Sequence, residues 1–205
     1  MTQMSAVGLA MALAIASLFI LAGVPSFAMQ SSPAPETVEF LRIAHRELAA
    51  GGELREAPAY IRSLSLTQRL QTARAALYDD DARIGYLSAN TLIEHGRAKQ
   101  AVPGLAAIIA SGRSETQLHG RMGYDWIHSG DEGLLLRMAI MINRYLLTNL
   151  TKYGGDQRAR VEATLMGGML EKPSQPFSKE RAEKLINEWQ GKLIKHQQES
   201  RRNSR

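Results

Sequence analysis

Residues Ser129–Tyr153, SGDEGLLLRMAIMINRYLLTNLTKY, settle the fold class. Wound at 3.6 residues per turn, Leu134, Leu135, Leu136, Met138, Ile140, Met141, Ile142, Tyr145, Leu146, Leu147 and Leu150 cover most of a helix circumference. A helix apolar on nearly every side must be buried by neighbours, so the chain needs several other helices around it. A transmembrane reading fails on Arg137, Asn143 and Arg144, which are costly at mid-bilayer. Ser129 and Glu132 read as a capping box, S-x-x-E, that starts the helix. Arg137, Arg144 and Thr151 mark one narrow polar seam at seven-residue spacing. The two arginines could line an internal anion site, or pair with helix-terminal carbonyls and carboxylates of neighbouring helices.

Toward the C-terminus, Gly154 and Gly155 close this helix and Asp156 is placed to cap the next, which runs to about Met169. After Pro173 and Pro176, Ser178 starts a final amphipathic helix with Ala182, Leu185, Ile186, Trp189 and Leu193 on one face. Glu180–Lys184 and Glu188–Lys192 are expected as its surface ion pairs. Residues 199–205 contain nothing apolar and are expected to form a disordered basic tail.

Toward the N-terminus the same period recurs. Pro35 opens a helix with Val38, Leu41, Ala44 and Leu48 on one face, stopped by Gly51-Gly52. A short segment spans Ala57–Leu64, and Thr67 is the expected cap of a helix carrying Leu70, Ala73 and Leu77. Asp79, Asp80 and Asp81 place negative charge at the start of a helix with Ile84, Leu87, Thr91 and Leu92, ended by Gly96. The following helix has Pro103 early, then Leu105, Ile108 and Ile109, and stops at Gly112. Strand-like alternation is absent. Seven to nine helices joined by short loops predict an all-α fold of stacked antiparallel hairpins, either HEAT-like or an irregular bundle.

One window carries a family resemblance. Asp81-Ala82-Arg83, Leu87, Leu92, Gly96 and Ala101-Val102-Pro103 with Leu105 resemble a HEAT-type hairpin, in which an acidic residue and an arginine open the first helix and "AVPxL" the second. Ala89, Gly96, Ala101 and Leu105 also resemble the small and large positions of a tetratricopeptide hairpin. Either resemblance, over residues 81–110, implies a scaffold that binds a protein partner.

The first 28 residues are expected to serve export. Ala6–Val24 is uncharged and apolar, and Ser26 and Ala28 fit a signal-peptidase site, so residues 1–28 read as a signal peptide. An uncleaved inner-membrane anchor is the alternative, because the apolar run approaches the roughly 20 residues that span a bilayer and Met1–Ser5 lacks Lys and Arg. Residues 29–35 form a Ser/Pro linker, and residues 36–198 form one helical domain. With no cysteine, disulfides, a lipobox anchor and thiolate metal sites are all excluded. A periplasmic or secreted location follows, with membrane contact possible through the N-terminal segment or the basic tail.

Reaction chemistry has one candidate window. Glu115–Glu132 gathers His119, Asp125 and His128, whose imidazoles and carboxylate could bind a metal or exchange protons. Their spacing matches no metalloprotease or nucleophile-elbow pattern, and a polar interhelix corner is the favoured reading. His45 and His95 stand near helix C-termini, and His196 in the exposed end of the last helix. No cofactor or metal is called for. Charge is more informative. Of a formal net +5, the segment from Trp189 onward carries +4, through Lys192, Lys195, Arg201, Arg202 and Arg205 against Glu199. A basic amphipathic end on a near-neutral body suits an anionic surface or an acidic partner. Nucleic acid is disfavoured by the compartment and by an aromatic content of only 6%, too few rings for base stacking.

Two functions are therefore expected in order: a non-catalytic interaction protein of the bacterial cell envelope, binding a protein partner or an anionic envelope component, and a periplasmic hydrolase or metal-dependent enzyme centred on His119, Asp125 and His128.

Overall fold

The computed structural model describes residues 33–51, 53–112, 131–167 and 176–203. The signal-peptide region, the window holding His119, Asp125 and His128, and Arg205 lie outside them. Among the described residues there is no strand. The described residues form eight α-helices in order: α1 Pro35–Ala49, α2 Glu56–Ser63, α3 Leu66–Ala76, α4 Ala82–Glu94, α5 Ala98–Ser111, α6 Glu132–Thr148, α7 Gly155–Gly167 and α8 Lys179–Asn203, with a 3-10 turn at Leu150–Lys152 between α6 and α7. The all-α expectation holds. No described helix is long and apolar enough to cross a membrane.

The helices pack largely in sequence: α1 on α2 and α3, α3 on α4, α4 on α5, α5 on α6 and α6 on α8, while α7 lies against α5, α6 and α8. A main core runs through α1–α7 and reaches Ala182 of α8, and a second cluster joins Leu136, Ala139 and Ile140 of α6 to Ile186 and Trp189 of α8. Met138, Ile142 and Leu146 of α6 are fully buried, as the apolar girth of that helix requires, whereas Leu147 is half-buried.

Helix starts follow side-chain oxygens more closely than apolar periodicity indicates. The cap of α3 is Ser65 rather than Thr67. Ser65 Oγ accepts from the Gln68 amide, and Gln68 Oε1 accepts from the Ser65 amide, a complete capping box. Asp131, rather than Ser129, caps α6, its carboxylate accepting from the Leu134 amide at 2.8 Å. Asp81 caps α4 by accepting from the Arg83 amide. Ser178 caps α8 as expected, accepting from the Arg181 amide.

Four further expectations change. The buried stripe of α1 is Thr37, Phe40, Ile43 and Ala44, leaving Val38 half exposed, because the bulky Phe40 sets the inward direction. Pro103 is the sixth residue of α5, inside the helix, where the missing N–H forgoes the bond to Lys99. The surface pairs of α8 are Lys179–Glu183, Lys184–Glu188 and Lys195–Glu199, with Glu180 held instead by the Ser178 hydroxyl. The last helix also continues to Asn203, through most of the segment expected to be disordered. Lys195–Glu199 spans that boundary, and Arg201 and Arg202 suit the negative end of the helix dipole.

Between hairpins, arginines close helix ends. Arg69 of α3 donates to the carbonyls of Ile61, Arg62 and Leu64 at the end of α2, and its guanidinium also meets His95 Nε2. Arg160 of α7 donates from Nε to the Ala110 carbonyl near the end of α5, at 3.0 Å. Carbonyls left without an intrahelical partner are thereby satisfied from the next layer.

Candidate anion-binding groove

The site begins with the way α8 docks. Ala182, Ile186 and Trp189 recur three to four residues apart on one face and are buried. They seat the first half of α8 on α6. Arg144, exposed on α6, donates to the Gln190 side chain. Closer to the start of α6, Gly133 faces His196. The two helices thus run antiparallel, and the second half of α8 passes the N-terminal end of α6.

A groove of about 350 Å³ lies where they pass, lined by Asp131, Gly133 and Arg137 of the α6 end and by Leu193, His196, Gln197, Ser200 and Arg201 of α8. Gly133 adds no side chain to its wall. A β-carbon there would come within 3.2 Å of Asp131 Oδ1 and 3.6 Å of His196 Nε2. Asp131 is committed to the helix, since Oδ1 caps α6 while Oδ2 stands 3.7 Å from Arg137. Arg137 Nε donates to the Gly133 carbonyl at 3.0 Å, which holds the guanidinium over the first turn. Arg201 forms no ion pair among the described residues. The lining carries two guanidinium groups, one imidazole and one carboxylate. That set favours an anion, because guanidinium presents paired N–H donors that match carboxylate and phosphate oxygens.

Placed against expectation, Arg137 and Arg144 are both exposed on the α6–α8 seam, so they build no internal anion site. Arg137 enters the groove and Arg144 does not. Of the basic series, Lys192, Lys195, Arg201 and Arg202 are exposed on α8, and Arg201 alone lines the groove. His196 is half-buried in the groove rather than exposed on the helix end. Sequence reasoning missed Gly133, Gln197 and Ser200. A signal for one side existed: Leu193, Gln197 and Arg201 repeat at four residues, with His196 and Ser200 beside them, which places all five on one helix face.

Elsewhere, His45 Nε2 lies 3.1 Å from Asp79 Oδ2, and Asp79 Oδ1 accepts from the Asp81 amide, so that pair ties α1 to the turn before α4. Among the described residues no group of three or more His, Asp or Glu side chains is arranged to hold a metal ion. Comparison with protein-family models, curated proteins and solved structures finds no match, and the reading of the groove rests on its own residues.

Proposed function

We propose that the protein is a non-catalytic helical interaction module of the bacterial cell envelope that holds an anionic partner or surface through the C-terminal half of α8. One observation carries this reading. Ile186 and Trp189 fasten the first half of α8 into the core, while Lys192, Lys195, Arg201 and Arg202 stand exposed on the half that continues beyond them. Anchoring one half of a helix holds the charges of the other half in a fixed array, lowering the ordering entropy lost when a partner binds. The envelope location rests on the apolar N-terminal run and the Ser26/Ala28 pair.

The α4–α5 hairpin supports a scaffold role. Its short connection and the approach of Gly85 to Ile108 make α4 and α5 antiparallel neighbours over the HEAT-like stretch. We read it as one HEAT-type unit in an otherwise irregular stack.

The test is co-sedimentation of the full chain with phosphatidylglycerol vesicles and with an anionic cell-wall polymer. Binding at low salt that fades as salt rises is expected, since exposed charges are screened beyond about 8 Å at physiological ionic strength. Charge-neutral vesicles should leave the protein in the supernatant. Equal binding to neutral and anionic vesicles would sink the proposal.

A further inference from the structure

We infer that the groove between the start of α6 and the second half of α8 is a specific site for one tetrahedral oxyanion, of the phosphate or sulfate class, clasped between Arg137 and Arg201. The inference deepens the reading above by giving the basic helix a defined ligand, and it rests on the groove's construction rather than on total charge. Three observations combine. Arg137 is held in place by its bond to the Gly133 carbonyl, so one guanidinium is positioned before any ligand arrives. Arg201 comes from the opposite wall and has no ion pair among the described residues. The wall between them is a glycine, and a β-carbon at that position would press on Asp131 Oδ1 and take up the space next to His196 at ordinary contact distance.

The Asp131 carboxylate sets the ligand's position. Its Oδ1 belongs to the Leu134 amide and its Oδ2 leans toward Arg137, so an anion is repelled from the α6 cap and directed toward Arg201 and His196. His196 Nε2, near the Gly133 position, can supply a third donor in the tautomer that carries its proton there. A cavity of about 350 Å³ exceeds the needs of a bare ion. It leaves room for the substituent of a phosphate monoester or diester.

The experiment titrates the full-length chain with sodium sulfate and, separately, inorganic phosphate, following the backbone amides of Gly133 and Leu134 and the ring protons of His196 by NMR. Saturable shifts are expected at all three residues. Arg137→Gln should weaken binding about tenfold, the effect of losing one charge-assisted contact. Gly133→Ala, which alters no charge, should weaken it as well, while a thermal melt shows each variant folded. Shifts that rise linearly with salt, or saturable shifts indifferent to both substitutions, overturn the inference. Vesicle binding without sulfate binding also overturns it, yet leaves the basic-helix proposal standing; sulfate binding without vesicle or polymer binding does the reverse. Adding free phosphate to phosphatidylglycerol vesicles separates the ligand's sources. Release of the protein assigns the groove to lipid headgroups, and retention alongside saturable sulfate binding assigns it to a free anion.

Discussion

Leu77, in the turn after α3, lies so close to Gly104 of α5 that a β-carbon on Gly104 would fall within 3.0 Å of its Cγ and both Cδ atoms. Leu77 is itself buried, and because its Cγ as well as its Cδ atoms stands in the way, the whole side chain would have to shift. Replacing glycine by alanine inside a helix ordinarily stabilises it by up to about 1 kcal/mol. Here the sign should reverse. Overpacking of a filled core costs about 1–3 kcal/mol, and Gly104→Ala should lower the denaturation midpoint. A midpoint unchanged or raised would show that the Leu77 contact is not as close as described.

The central helix gives a graded test. Leu146 is fully buried and Leu147 only half-buried. Leu146→Ala should cost about 2–5 kcal/mol, the range for a buried leucine, and Leu147→Ala distinctly less. Urea unfolding of the two variants would compare them, and equal losses would contradict the placement of α6.

Acid sensitivity should reside partly in Glu47. Its carboxylate accepts from the amides of Arg55, Glu56 and Ala57 at 2.9, 2.7 and 2.9 Å, and so closes the N-terminus of α2 from the end of α1. Partial burial opposes ionisation, but the three amide bonds together with nearby Arg46 outweigh it and hold the carboxyl below its ordinary value of 4.5. A carboxyl lowered on folding stabilises the folded chain above the unfolded value, and that contribution disappears as pH falls from about 4.5 through the folded value. Glu47→Gln should therefore flatten the loss of stability below pH 4.5. At neutral pH, Glu47→Ala should cost about 0.5–2 kcal/mol, as for a lost N-cap. Melting curves across the acid range decide both points.

Removing residues 198–205 tests the end of α8. Those of its residues that are described are exposed, so stability should change by no more than about 0.5 kcal/mol. Helical circular dichroism should fall slightly, because the helix reaches Asn203. Anionic vesicle binding should weaken, since Arg201 and Arg202 go with the segment. Undiminished binding would shift attention to Lys192 and Lys195.

Export is checked by mass spectrometry of an envelope fraction. A chain beginning at Met29 is expected, from the Ser26/Ala28 pair. A full-length chain in the membrane pellet would replace cleavage with anchoring.

Much of the helical layout was legible because periodicity and helix stops are local. Leu70, Ala73 and Leu77 were expected on one face and are buried together, and Gly51, Gly96 and Gly112, expected as helix stops, all adopt positive φ. Local competition was harder to read. Ser65 and Thr67 are both acceptable caps, and only Ser65 has Gln68 three residues on to complete the box. Val38 and Phe40 both fit an apolar stripe, and packing partners elsewhere in the chain chose between them.

The sequence by itself determined that the chain is helical, that α6 lies inside and that positive charge gathers at the C-terminus. Each follows from spacing along one segment, where a 3.6-residue period converts composition into faces. Only the tertiary structure decided where those charges stand. Arg137 and Arg201 are far apart in the chain, and nothing in either segment specifies the other. Their shared groove exists because Trp189 fastens α8 antiparallel along α6, and Gly133 adds no side chain where the two helices pass. Close approach between distant segments depends on how whole faces pack, a property of the assembled core that no local pattern contains.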